Sequence, residues 1–182
     1  GMLHARVVRP PHYAARLVSA EIESVQQMPG VVRVVRDGSF LAVVAAREEQ
    51  AIQAMEALQA GAIWKGDWNL PPQKAIYDHL LNAPAQSYLI VEGTSTDDPI
   101  PPVSVPATAV HTLNATYYRP YQMHASLGPS AAAAWLADGK LTLWVQTQGV
   151  FPIRAAVAQV IGMDPNDIRV IQTEGAGVYG HN

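Results

Sequence analysis

Two Asp-Gly dipeptides, Asp37-Gly38 and Asp138-Gly139, each stand between runs of β-branched or alternating apolar residues. A two-residue hairpin loop needs positive φ to match the twist of its strands, and Asp-Gly takes those angles readily in a type I′ turn. The first dipeptide predicts a hairpin over residues 31–46, with Val31-Val32-Arg33-Val34-Val35-Arg36 facing Phe40-Leu41-Ala42-Val43-Val44. The second predicts Ala131–Leu136 paired with Leu141–Gln146. Ser130 and the four alanines after it would suit a capped helix by propensity alone. The turn and the alternation of Leu141, Leu143 and Val145 favour a β-meander instead.

Each hairpin is followed by a helical pattern. Residues 48–60 set Ile52, Met55 and Leu58 on one stripe, with Glu48 and Glu49 in the first turn and Gly61 just past the end. The apolar face of this helix is expected to lie on the first hairpin. Residues 150–161 carry Pro152 near the first turn, Ile153, Val157, Val160 and Ile161 on one side, and Gly162 at the end. Met2–Arg9, stopped by Pro10-Pro11, reads as a first strand, and Val110–Tyr118 and Ile168–Ile171 as later ones. Between about 66 and 106, Pro71-Pro72, Pro84, Pro99, Pro101-Pro102 and Pro106 mark a loop-rich connector and a domain boundary. The expectation is an α+β chain.

Composition narrows the function classes. The chain has 182 residues, 49% hydrophobic and 15% charged, so apolar material for a core is ample. Twelve Lys+Arg against fifteen Asp+Glu leave a net charge of -3, with no basic footprint for a nucleic-acid backbone or an anionic membrane. Arg33, Arg36 and Asp37 interrupt the longest Val-rich run, so no membrane span is expected, and no signal-peptide pattern stands at the N-terminus. A soluble chain, cytoplasmic or periplasmic, is the expectation. With no cysteine, this chain by itself holds no disulfide, Cys-based zinc site or iron–sulfur cluster. The six histidines show no metal-ligand spacing, and no metal ligands are expected from protein side chains.

Gly175-Ala176-Gly177-Val178-Tyr179-Gly180 is a literal G-x-G-x-x-G after an expected strand. In a dinucleotide fold such glycines precede a helix and a ribose-binding acid, whereas here only His181 and Asn182 follow. A glycine-rich loop at a strand end can still cradle another ligand through its amides, or be a plain turn. His124-Ala125-Ser126-Leu127-Gly128 lacks the glycine that a nucleophile elbow needs where His124 stands. Thr147-Gln148 lies between a strand and a helix, where an amide can project past the strand end.

Three segments in order carry a resemblance. Gly1–Pro11, with Pro29-Gly30-Val31-Val32 and the region of Trp64, resembles an α/β hammerhead domain. His124–Pro129, followed by Asp138-Gly139-Lys140-Leu141-Thr142-Leu143-Trp144 and Thr147-Gln148, resembles the opening of a molybdenum-binding domain, and Gly175–Asn182 resembles the glycine-rich loop of the same domain. Together they are similar to the molybdopterin-binding large subunits of the xanthine dehydrogenase/aldehyde oxidase family, in the isoquinoline 1-oxidoreductase and nicotinate dehydrogenase-like branch.

The resemblance implies a hammerhead domain over 1–75, a Pro-rich connector over 76–106 and the N-terminal part of a molybdopterin-binding domain over 107–182. It implies a molybdenum-molybdopterin cofactor, hydroxylation of an aldehyde or N-heteroaromatic small molecule with water as oxygen source, and a separate 2Fe-2S subunit that receives the electrons. Gln148 matches the glutamine that hydrogen-bonds an oxygen ligand of the metal, and Gly177, Tyr179 and Gly180 match the loop lining the site. The loop registers two ways, with Val178 or Tyr179 in the place often held by Phe, and Tyr179 is preferred because Gly180 follows it directly. Gly128 stands where many relatives have Glu. The family's catalytic glutamate is expected beyond Asn182, so no catalytic residue is assigned here, and the chain reads as a fragment that is inactive and metal-free alone. Two other readings stay open: a non-catalytic interaction domain that keeps only the hammerhead scaffold, and a nucleotide-binding module using the terminal loop.

Overall fold

In the computed structural model, residues 1–67 and 70–181 are described. Trp68 and Asn69, where the proline-rich texture begins, and Asn182, the last residue of the glycine-rich segment, lie outside the described residues. The chain is α+β and divides into two compact units, Gly1–Ile100 and Pro101–Asn182.

In the first unit, β1 (His4–Val8), β3 (Val31–Asp37) and β4 (Phe40–Ala45) form an antiparallel sheet in the order β1-β4-β3. β4 is the central strand, flanked by β1 and β3, and Leu41, Ala42, Val43 and Ala45 are all buried, in line with a sequence apolar almost throughout. Helix α2 (Glu48–Gly61) packs on the sheet as expected. Its buried line is Ala51, Ala54 and Leu58, with Ile52 and Met55 at the flanks. The small alanines let the helix approach closely, while Leu58 enters the cluster of Val8, Leu17, Val25, Leu41 and Val43. Gly61 is the last helical residue and not a cap; a side chain there would press on Glu21, so close packing accounts for the glycine.

The first turn is displaced by one residue from the expected one. Asp37 pairs with Phe40, so the loop is Gly38-Ser39, and of these two only Gly38 has positive φ, at 55°. That is the pattern of a type II′ turn, with glycine at its first central position, not of type I′. Two side-chain ties to β2 (Arg16–Ser19) account for the choice. Ser39 Oγ accepts from Leu17 N–H at 3.1 Å, and Arg36 donates to the Val18 carbonyl at 3.0 Å.

Sequence patterns did not mark β2, the short α1 (Ile22–Gln26), or β5 (Ile63–Lys65), which pairs antiparallel with β2. Nor is the stretch read as connector only loop. It holds α3 (Ile76–Asn82) and a hairpin of β6 (Leu89–Val91) with β7 (Thr94–Thr96) turning at Glu92-Gly93.

In the second unit, β8 (Ala132–Ala137) and β9 (Lys140–Val145) form the expected hairpin. Its loop residues Asp138 and Gly139 have φ of 50° and 75°, a type I′ turn. The alanines are therefore strand, as the meander reading expected. Helix α4 (Val150–Ile161) crosses over to β10 (Ile168–Gln172), which pairs parallel with β9 from Ile168↔Leu141 to Gln172↔Val145. The sheet order is β10-β9-β8. Leu141, Ala158 and Ile168 form the buried cluster, flanked by Leu143, Val157, Met163 and Val170.

Two expectations fail in this unit. Residues 110–118 form no strand; Val110, Leu113 and Tyr117 are at least 86% exposed, because β propensity becomes a strand only beside a partner ladder. The buried side of α4 carries Val157 and Ala158, whereas Val160 and Ile161 are exposed. The helix is apolar nearly all round, so spacing alone could not say which side meets the sheet.

Gly38→Val should destabilise the chain by about 1–2 kcal/mol, because φ alone opposes the substitution and no atom lies within 4 Å of an added Cβ. Leu58→Ala should cost about 2–5 kcal/mol by emptying the centre of the first core. Both are read from urea unfolding midpoints at constant slope.

Candidate functional site

Parallel pairing sends the C-terminal ends of β9 and β10 to one edge of the sheet. The ladder continues one bond past the strands, since Thr173 N–H donates to the Val145 carbonyl at 3.1 Å. Beyond this point the chain from β9 runs Gln146-Thr147-Gln148-Gly149 into α4, and the chain from β10 runs Thr173-Glu174 into the glycine-rich loop.

In the segment after β9, neighbouring side chains go to different sides. Thr147 is buried, and its Oγ1 accepts from Gly149 N–H at 3.1 Å, which fixes the entry to α4. Gln146 and Gln148, on either side of it, turn to the loop. Gln146 Nε2 donates to the Gly177 carbonyl at 2.8 Å, and Gln148 Nε2 donates to the Gly180 carbonyl at 3.2 Å.

Main-chain bonds claim two more loop carbonyls. Leu127 N–H donates to Ala176 O at 2.8 Å, and His181 N–H to Val178 O at 3.1 Å. The loop also needs its glycines for conformation. Gly177 and Gly180 have φ of 85° and 118°, and a side chain at either would overlap a ring, that of Tyr179 or of His124 respectively. Tyr179 itself has φ of 48° and is 61% exposed.

Between the two segments lies a cavity of about 680 Å³, lined by Gln146, Thr147, Gln148, Gln172, Thr173, Glu174, Gly175, Gly177 and Val178. Its size falls within the range of small-molecule sites. Glu174 is the one ionisable side chain in that lining; the other polar groups are neutral amides and hydroxyls. A second cavity of about 320 Å³ lies against Trp144 and Ala131–Ala133 and shares Gln146, Thr173, Glu174 and Gly175 with the first.

Of the residues singled out in the sequence, Gln148 and Gly177 line the larger cavity, while Tyr179 and Gly180 belong to the same loop without lining it. Val178 occupies the wall instead. Sequence reasoning missed Gln146, and its signal was present: it closes the expected strand 141–146 two residues before Gln148, and strand alternation puts such residues on one face. His124, at 6.0 Å between ring centroids from His181, was also not expected beside the loop. Among the described residues no group of three or more His, Cys, Asp or Glu gathers as a metal site. No helix of the described residues is long and apolar enough to cross a membrane.

Comparison with known proteins bears on the family and the fold. Residues 101–182 match the family model of the molybdopterin cofactor-binding domain, starting where the second compact unit starts. The chain is 36% identical over 191 aligned residues to one of the subunits of nicotinate dehydrogenase from Pseudomonas putida, an alignment taking in 100% of this chain and 15% of that protein. Among solved structures, quinoline 2-oxidoreductase from Pseudomonas putida 86 superposes with a TM-score of 0.66 at 19% identity, covering 97% of this chain and 27% of that one. A Cu,Mo-CO dehydrogenase superposes with a TM-score of 0.50 at 16% identity, covering 97% and 28%. These two likenesses speak to the fold. Carried by the sequence match along its whole length and by the domain match over 101–182, the chain belongs to the molybdopterin-binding subunits of the xanthine dehydrogenase/aldehyde oxidase family.

Proposed function

We propose that this chain forms part of the cofactor- and substrate-facing wall of a molybdenum hydroxylase, an oxidoreductase acting on an aldehyde or N-heteroaromatic compound with water as oxygen source. The observation that carries the reading is the approach of Gln148 to Gly180 at the shared end of β9 and β10. On this reading residues 1–75 are the hammerhead domain, 76–106 the connector and 107–182 the N-terminal part of the molybdopterin-binding domain. The chain spans about 15% of the length of the curated relative it matches, so substrate and partners are read from family membership. A 2Fe-2S subunit is the partner it implies for the electrons.

The donor set suits an oxygen-rich, anionic group. Four loop carbonyls, those of Ala176, Gly177, Val178 and Gly180, already accept from protein donors, which leaves fewer of them to oppose an anionic ligand. Each glutamine amide carries two N–H groups, and one of them suffices for its loop carbonyl. Gln148, Gly177, Tyr179 and Gly180 are the residues assigned to hold the molybdenum-molybdopterin group. When bound, that group supplies the two-electron oxidation. The chain's own part is to orient and enclose: Gln148 offers an amide tied to the loop, the backbone of Gly177 allows close approach, and Thr147, bonded to Gly149 N–H, fixes the chain on either side of Gln148. The catalytic glutamate that the family implies is assigned to no residue of this chain.

In the enzyme that contains this chain, Gln148→Ala should lower kcat/KM by about 10²-fold, as removal of one preorganised hydrogen-bond donor does elsewhere. Steady-state kinetics on a panel of aldehydes and N-heteroaromatic compounds checks this. Turnover within twofold of wild type, at unchanged molybdenum content, would remove Gln148 from the site.

A further inference from the structure

The glycine at position 175 has a cause different from that of its neighbours. Gly177 and Gly180 lie in the left-handed region, where any side chain is strained. Gly175 does not, so its backbone would accept alanine. The three atoms nearest to a Cβ there all belong to one side chain: it would overlap the Gln146 carboxamide, with the Gln146 Cδ at 2.8 Å and Cβ at 3.0 Å, so alanine fits only if that carboxamide moves. The same carboxamide donates to Gly177 O at 2.8 Å. Gln146 thus touches the loop twice, filling the space over residue 175 and holding the carbonyl of residue 177.

Gln146 acts over a span where the chain has already left the sheet. On one side the ladder ends at Thr173, and on the other Leu127 N–H ties down Ala176 O. Gln146 also lines both cavities, one facing Gln148 and the other facing Trp144. Thr173, Glu174 and Gly175 are common to both as well, so the course of the loop past Gln146 sets the division between them.

We propose that Gln146 is a positioning residue for the ligand site: its side chain and the absence of one at residue 175 form a single lock that sets the glycine-rich loop against the end of β9. The ligand consequence rests on the function proposed above; the lock does not. Gln148 holds the distal end of the loop at Gly180, and Gln146 holds the proximal end, where the chain leaves the sheet.

The test is a double-mutant cycle in the enzyme containing this chain, with Gln146→Ala, Gly175→Ala and both together. Amide hydrogen exchange of residues 174–181 gives a readout independent of activity, and the KM and kcat of the enzyme and its released pterin give the functional ones. Gln146→Ala should speed loop exchange by about five- to tenfold, the loss of one neutral hydrogen bond, without moving exchange in β8 or β10. Gly175→Ala should do the same by displacing the amide, and the double variant should add less than twofold, since both changes break one contact. Gln146→Glu keeps the volume and loses the donor, so it should loosen the loop while Gly175→Ala stays damaging in its background.

Loosening should bring with it a lower pterin content or a raised KM. If Gly175→Ala is equally damaging with and without Gln146, or if Gln146→Ala leaves loop exchange unchanged, the lock is overturned. A loosened loop with pterin content, KM and kcat all unmoved overturns the positioning role. A wild-type enzyme without pterin would overturn the proposed function alone, and the exchange cycle would still decide the lock.

Discussion

A parallel ladder ends both of its strands at the same sheet edge, and in the second unit the ladder from Ile168↔Leu141 to Gln172↔Val145 makes the site possible. Twelve residues of helix are the price of that geometry, because a parallel pair needs a crossover where an antiparallel one needs a turn. The ends of β9 and β10 then stand side by side although Gln148 and Gly175 are far apart in sequence. Ligand sites of open α/β sheets gather at such carboxyl ends, where chain leaving the sheet is free to differ in sequence without disturbing the core. The glycine-rich loop and the two glutamines use that freedom.

The core beneath this edge is small. Leu141, Ala158 and Ile168 are its buried members, against seven in the first unit's cluster. Helix α4 meets the sheet with Val157 and Ala158 and leaves Phe151 and Val160 more than two-thirds exposed. Precision at the site therefore depends less on the weight of packing than on directional bonds. Thr147 holds the helix entry, Thr173 prolongs the ladder, and side-chain amides reach the loop at two carbonyls.

What was legible in the sequence was whatever local chemistry decides. Asp138-Gly139 states its own turn type, and the hairpin, the helix with its Gly162 cap at φ of 67° and the last strand follow in order. Asp37-Gly38 announces a hairpin equally well, but its register was settled by Ser39 and Arg36 bonding to β2, a contact invisible to any local pattern. The β-rich segment 110–118 shows the converse, since strand propensity without a neighbouring ladder leaves the chain outside any sheet and exposed. At the site, Gln148 was found by resemblance, whereas Gln146, two residues away at the end of the expected strand 141–146, had only the two-residue alternation of a strand to mark it.

The electrostatics of the site explain why such bonds matter. Its lining holds one carboxylate, no cation and several neutral amides, in a chain whose net charge is only -3. Long-range attraction cannot deliver or orient an anionic group under those conditions. On the function proposed, binding would come from short-range donors whose worth falls steeply with distance and angle. A loop serving that purpose has to turn its carbonyls into the protein and hold them there, or they would face the ligand's oxygens. Ala176, Gly177, Val178 and Gly180 each have the carbonyl occupied. The glutamine pair does part of this: by bonding the carbonyls of Gly177 and Gly180 it fixes the course of a glycine-rich segment that its own backbone would leave free.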